Sequence, residues 1–508
     1  MKKIINLILL CLTILAASVG NAATWRFDPT INISETYTDN IFLDSSNEVD
    51  DFITEITPGI HITGDGRFLK VDFDYQYQNL IYADDSSLND EHHQLRGTLE
   101  SELIENHFYI EADANYGQTN VSNQGRTTDN NRNITGNRSD VSLYRITPIV
   151  RHSFAGLLDA ELRYTYSSVD AGSAAGERDT NQFNVRLNNG RKFNRFSWTV
   201  DYENSDSDRT STETSLSDES ARFESTHANA TIPLTRAWSF ITDVGAEKND
   251  FTTSRGRTDG DYVALGLGYR PNRRFLVELV AGGRDRFTLS WQPTERTDLQ
   301  FNVNSQDFGA NLGDTVSASF RHRTRRSSWE FRYRDETTTT QAALLDDRAF
   351  VLTDINGEPV IDTVTGEPII INPESLNLRD DVFNRKRFDA TISYNTPKST
   401  FRLQLFGEDR VSEVDGSDAE ESIGSTFTWN WRLARRTESI VTANVRRNKF
   451  SLLQDESDEM NLSMNLVRRI SRSATATFSL QHFERESENT NNNDYEENAV
   501  SAGIRATF

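Results

Sequence analysis

Catalysis needs a nucleophile beside a base, a cluster of metal ligands, or a loop that cradles phosphate. The chain has eight histidines, and their one dense group is Asp90-Glu91-His92-His93-Gln94. In an extended chain, successive side chains point to opposite faces. His92 and His93 therefore cannot share a metal. No H-E-x-x-H, G-x-S-x-G or G-x-x-x-x-G-K-[ST] run occurs. The single cysteine, Cys11, lies in an apolar N-terminal segment. These residues offer no catalytic group, no cofactor and no metal centre, and the chain is read as a non-enzyme.

What remains is charge laid out in rows. Glu100 and Glu102, and likewise Arg332 and Arg334, stand two residues apart. On a strand, each pair shares one face. Such rows suit the wall of an aqueous lumen, where they either neutralise neighbouring wall charge or select a charged or sugar-like solute. Acidic runs such as Glu413 to Glu421 and Asp455 to Glu459 fall between apolar segments. They could meet an anionic surface through divalent cations. A net charge of -23 makes nucleic acid an unsuitable partner.

The elements that would carry these rows are strands. In VDFDYQYQ, Val71, Phe73, Tyr75 and Tyr77 oppose Asp72, Asp74, Gln76 and Gln78. WEFRYR and STFTWNWRL repeat the alternation, which has the period of a strand with one apolar and one polar face. Only 36% of the chain is hydrophobic and mean hydropathy is -0.63, yet 10% is aromatic. Disordered chains avoid aromatic residues. A barrel in lipid accounts for both facts, because lipid replaces the core and about half the strand side chains stay polar.

Connections of two kinds alternate along the chain. Some are tight and basic, as in RPNRR (Arg270–Arg274), PTERT (Pro293–Thr297), TPKST (Thr396–Thr400) and LARRT (Leu433–Thr437). The others are mostly longer and rich in Asp, Asn, Ser and Gly. Short turns at one end and long loops at the other are the plan of a transmembrane barrel. The expected fold is all-β: an antiparallel up-and-down barrel of about 24 strands (range about 22–26), with both termini periplasmic. A round ring of that size is roughly 45–50 Å across, wide enough to need an internal restriction.

Residues 1–23 read as a signal peptide, with Lys2 and Lys3 ahead of an apolar run from Ile4 to Ala17. That run is too short to span a bilayer. Residues 24–508 read as one barrel in the outer membrane of a Gram-negative bacterium, in contact with its lipid and lipopolysaccharide. The longest loop, 341–380, holds the near-repeats NGEPVID and TGEPIII. Gly357 and Gly366 mark turns, and Ile369, Ile370 and Ile371 are unusually apolar for a solvated loop. The segment is a small extracellular hairpin capping itself, a lid for the lumen or a partner-docking strand, or a disordered stretch. Val500, Ala502, Ile504, Ala506 and Phe508 alternate to the last residue. They read as the lipid face of the closing strand and as the signal taken by the barrel-assembly machinery.

Several stretches resemble the outer-membrane barrel proteins associated with the PEP-CTERM/exosortase system. They are SETYTDNIFL (Ser34–Leu43), DFITEITPGI (Asp51–Ile60), YQYQNLIYADDSSLNDEHHQL (Tyr75–Leu95), NITGNRSDV (Asn133–Val141), ITPIVRHSFAGLLDAELRYTY (Ile146–Tyr166) and FRHRTRRSSWEFRYRDETTTT (Phe320–Thr340). The resemblance implies an outer-membrane place and a link to exopolysaccharide and its export proteins, with no catalytic motif. Three readings of function stay open: a wide pore or scaffold for exopolysaccharide export or assembly, a general diffusion porin or receptor barrel, and a structural barrel presenting surface loops.

Overall fold

The computed structural model describes residues 23–171, 176–193, 195–210, 219–250, 259–308, 313–339, 382–412, 419–451, 455–488 and 493–508. Its strands, in chain order, are β1 (Thr24–Thr38), β2 (Asp51–Asp65), β3 (Leu69–Tyr82), β4 (Asp90–Ile104), β5 (Phe108–Asn120), β6 (Arg138–Phe154), β7 (Leu158–Asp170) and β8 (Glu177–Asn189). They continue as β9 (Ser197–Thr210), β10 (Glu219–Pro233), β11 (Trp238–Asp250), β12 (Gly260–Asn272), β13 (Phe275–Gly282), β14 (Arg284–Thr294), β15 (Thr297–Gln306) and β16 (Gly313–Arg323). The last are β17 (Ser327–Thr339), β18 (Val382–Asn395), β19 (Ser399–Ser412), β20 (Ala419–Ala434), β21 (Thr437–Phe450), β22 (Asp455–Arg469), β23 (Ala474–Ser487) and β24 (Tyr495–Thr507).

Each strand pairs antiparallel with its sequence neighbours. The ring closes where β24 pairs with β1, from Thr30↔Thr507 to Thr38↔Ala499. The 24-stranded sheet therefore has no free edge. At this seam Ile31, Ile33, Val500, Ala502 and Ile504 face outward, while Ser34, Thr36 and Ser501 face the lumen. The Thr36 and Ser501 hydroxyls hydrogen-bond across it at 2.8 Å. The Phe508 amide donates to Pro29 O at 2.9 Å, so the terminal residue is also paired. Gly503 lets the seam close tightly, because a Cβ there would stand 2.9 Å from Ser34 Cβ.

The tight turns share one device. Thr324 Oγ1 accepts from the Arg326 and Ser327 amides, and Thr235 Oγ1 from those of Ala237 and Trp238. Thr294 and Thr396 accept in the same way from Arg296 and Ser399. A hydroxyl that satisfies turn amides locally explains the recurring Thr in these connections. The start of β1 and the end of β24 lie at this short-turn end, and the longer connections lie at the other.

Outward aromatics form two belts. Ten residues separate Phe27 from Tyr37 on β1, and Tyr144 from Phe154 on β6. At about 3.4 Å per residue and a tilt near 40°, the belts stand about 26 Å apart, the height of a barrel's apolar band. Between them the outer face exposes Ile33, Leu162, Leu265, Leu405, Leu462 and Ile504 to lipid. A closed barrel with this band is an outer-membrane barrel.

Ile504 stands near the middle of the band and is 56% exposed. Ile504→Arg is expected to destabilise the lipid-embedded barrel by about 2–4 kcal/mol, read as a lower urea midpoint of unfolding from bilayers. Arg505→Ile, on the lumen face, is the control and should shift the midpoint far less.

Candidate functional site

The site is built from residues 121–137, VSNQGRTTDNNRNITGN, which join β5 to β6. Asn137 ties the base of this loop: its Nδ2 donates to Ser122 O at 2.8 Å and Arg126 O at 3.0 Å. Asn130 Oδ1 accepts from the Arg132 and Asn133 amides, a side-chain turn of the kind Asn favours. Gly136, at φ +67°, allows the return toward β6. The loop thus satisfies much of its own backbone and folds as a unit.

It does not stand out in solvent. Arg485 of β23, its side chain fully buried, is the centre of its attachment. The guanidinium donates to Glu459 Oε1 at 2.8 Å, to Asn123 O at 2.9 Å and to Thr127 Oγ1 at 3.3 Å. Tyr495 OH donates to Thr127 O at 2.6 Å. Asn123 Nδ2 donates to Glu420 on β20 at 2.8 Å, and Asn133 Nδ2 to Glu497 on β24 at 2.8 Å. Toward β2 and β3, Tyr82 OH donates to Arg132 O at 2.6 Å and Asn131 Nδ2 to Gln78 at 2.7 Å. The Ile134 amide donates to Ile41 O at 2.8 Å, joining the loop to residues 39–50 between β1 and β2.

An apolar layer fills the same sector of the lumen. Ile41, Ile53, Leu80 and Tyr82 pack together, with Phe42, Leu88 and Ile134 against them. Leu43 packs on Phe483 and Tyr495. Leu43 holds a left-handed φ of 49° while wholly buried. That conformation costs a non-glycine residue on the order of 1 kcal/mol, and burial of its side chain offsets the cost.

The contact from Asn123 to Glu420 also constrains the shape of the barrel. Asn123 is three residues beyond the end of β5, a reach of at most about 10 Å. With both side chains added, the end of β5 lies within about 22 Å of the β20 backbone. On a round ring roughly 45–50 Å across, strands that far apart in order would be separated by more than about 40 Å. The expectation of a round ring is therefore corrected: at the loop end the wall is pinched, with β5 drawn toward β20. The loop is the strap that holds it.

Below the strap the described wall is largely polar. Arg145 pairs with Asp113 at 2.7 Å, Arg163 with Glu111 at 3.3 Å, and Arg186 with Asp201 at 2.6 Å. These ion pairs line a recess of about 520 Å³ on β4 to β10. A second group lies on β18 to β20, where Glu408 binds Arg385 at 2.8 Å, Arg387 at 3.0 Å and Arg410 more closely still. A third surrounds the buried Asp243, which receives His227 at 2.9 Å, Tyr262 OH at 3.1 Å and Arg286 at 3.3 Å.

The residues expected to line the lumen do not form one site. Glu100 joins the recess. Glu102 lies nearer the short-turn end, where its carboxylate accepts from the Asn106 amide and so shapes a turn. Arg332 pairs with Glu330, which Arg321 also approaches at 3.5 Å. Arg334 shares its face on β17, far around the wall from β4. His92 and His93 point to opposite faces: His92 lies beside Asp90, and His93 stacks against Tyr75 and Tyr77. The expected lid, with Gly357, Gly366, Ile369, Ile370 and Ile371, lies outside the described residues. Among the described residues no three His, Cys, Asp or Glu side chains are grouped to hold a metal.

No family model and no curated protein matches the chain. Among solved structures, it is similar to the siderophore receptor PirA from Pseudomonas aeruginosa (9% identity, 96% of this chain and 80% of that one, TM-score 0.43). It is likewise similar to the FrpB iron transporter from Neisseria meningitidis (9% identity, 95% and 82%, TM-score 0.46). Likeness at this level adds nothing to what the strand pairing already shows.

One clasp of the strap lies above the membrane band. Arg126 donates to Phe42 O and to Asp44 Oδ2, both at 3.1 Å. The Ser46 amide and hydroxyl, the Asn47 amide and then Arg126 all favour the Asp44 carboxylate and hold its pKa down to about 2. A carboxyl depressed in the folded state stabilises above its ordinary pKa, and that stabilisation is lost only as pH falls through the depressed value. This clasp should therefore be intact at pH 7 and still largely intact at pH 4. Arg485→Ala leaves the buried Glu459 with only the more distant Arg446 (3.9 Å) as its cation and unties two strap acceptors, a loss on the order of 3 kcal/mol. It should make the backbone near Arg126 cleavable by trypsin in folded protein, whereas moving the wild type from pH 7 to pH 5 should not.

Proposed function

We propose that the protein is a passive outer-membrane conduit for hydrated solutes, narrowed by its own residues 121–137. The observation that carries this reading is the strap. It closes one sector at the loop end, while the described wall of β6 to β19 is lined largely by paired charges and amides, interrupted by the apolar cluster of Ile241, Tyr262, Ala264, Val280 and Phe308. Such a lining suits a solute that keeps its water. Mutually neutralised charges favour passage over tight binding, since most wall arginines already hold a carboxylate.

Reconstituted in planar bilayers, the wild type should conduct in small, steady steps. Replacing residues 124–136 by a short Gly-Ser turn should raise the single-channel conductance several-fold. An unchanged conductance would remove the strap as the restriction.

A second reading narrows the solute. The sequence resemblance to barrels of the PEP-CTERM/exosortase system supports export of an exopolysaccharide, a hydrated polymer compatible with the same lining. Deleting the gene should then lower secreted polysaccharide, and normal secretion would reject this reading while leaving the conduit untouched.

A further inference from the structure

The two rims of the barrel differ in chemistry. All seven tryptophans stand within five residues of the short-turn end of their strands. The upper belt carries Tyr37, Phe52 and Tyr144 instead. The short connections are also cationic. The eight from β8–β9 to β22–β23 hold thirteen Lys or Arg against one acid, Glu295. Short turns of such barrels are periplasmic, so this rim meets the inner, phospholipid leaflet. Tryptophan suits the interfacial level of a bilayer, and arginine suits its phosphates.

The two features meet in one recess. Asn272, Arg273, Arg274, Phe275, Trp291 and Pro293 line an open hollow of about 460 Å³. Phe275 and Trp291 pair across β13 and β14, on the outward face shared with Leu279 and Leu289. Trp291 is 46% exposed. Asn272 Oδ1 accepts from the Arg274 amide at 2.8 Å, and Arg274 O accepts from the Gln292 amide at 2.7 Å. These bonds fix the two-residue turn against β14, with both arginines beside Trp291.

Positive charge dominates here. Among the described residues Arg273 has no carboxylate partner. Arg274 has Glu295 at 3.9 Å, and that side chain is 90% exposed. The other acids on nearby strands, Glu278, Asp298 and Glu330, alternate onto the lumen face. Glu330 already holds Arg332 and meets Arg321 at 3.5 Å. Arg236, Arg270 and Arg296 add exposed cations along the same rim.

We propose that this recess binds the headgroup of an anionic phospholipid of the inner leaflet, with Arg273 and Arg274 on its phosphate and Trp291 and Phe275 along its glycerol and first acyl carbons. The occupant is a lipid because the aromatic side of the recess opens outward at the lower belt. A soluble anion would leave Trp291 and Phe275 uncovered. The lipid is anionic because two adjacent guanidinium groups outweigh one distant, exposed carboxylate, and they would repel the cation of a zwitterionic headgroup. Which solute passes the lumen has no bearing on this site.

The test is native mass spectrometry of the full barrel in detergent, titrated with dimyristoyl phosphatidylglycerol and, in parallel, dimyristoyl phosphatidylcholine. The wild type is expected to bind one phosphatidylglycerol about ten-fold more tightly than phosphatidylcholine. Arg273→Ser with Arg274→Ser should remove that preference at an unchanged urea midpoint of unfolding. Arg325→Ser with Arg326→Ser takes the same charge from the β16–β17 turn and should leave the preference in place. Glu295→Gln removes the competing carboxylate and should tighten phosphatidylglycerol binding about two-fold. Equal affinity for the two lipids overturns the site. So does an equal loss in both double variants, which would make binding a property of the whole rim. Full displacement of the lipid by inorganic phosphate overturns it too, in favour of a soluble anion. Should the first double variant fail to fold, Glu295→Gln decides: unchanged or weaker binding rejects the site.

Discussion

The structure depends on one constraint: no backbone amide or carbonyl of the wall can be left unpaired in hydrocarbon. A flat sheet of 24 strands would leave two edges there. The β1–β24 seam removes both, down to the amide of Phe508. The rest follows from closure. Each strand must offer apolar side chains outward and polar ones inward, so the alternation that made the composition look disordered is what closure requires. The inner face becomes a polar wall, and its charges pair across neighbouring strands.

Closure also creates a problem of width. Many strands give a large ring, and a large ring is a hole. The strap answers this by drawing opposite walls together. The wall arginines have a second role in it: Arg485 holds Glu459 and two strap residues at once. A buried arginine with one carboxylate and two strap acceptors is costly to vacate, so the pinch is held by one well-satisfied centre with weaker contacts around it.

The fold was largely legible in the sequence. Period-two alternation set the faces of the strands, and Thr-containing basic turns marked one end. Both rest on local chemistry, which a single chain displays. The strap was not legible. The Ile-rich segment 341–380 drew attention because apolar residues in a loop look anomalous, while 121–137 looks like ordinary solvated loop. Its partners Glu420, Glu459, Arg485, Tyr495 and Glu497 stand hundreds of residues away, and only barrel register brings them beside it. A signal was present in its dense run of Asn and Thr, the residues best able to bond a polar wall. Reading it needed the shape of the lumen first.

The distance in sequence between the strap and its anchors sets an order in time. Thr127 belongs to the first third of the chain, and Arg485 and Tyr495 to its last two strands, separated from it by 358 and 368 residues. The anchors do not exist as a surface until β23 and β24 have been laid down and the ring is shut. Loop closure over such a span is slow and comes late. The strap therefore cannot complete its attachment before β23 and β24 are in place.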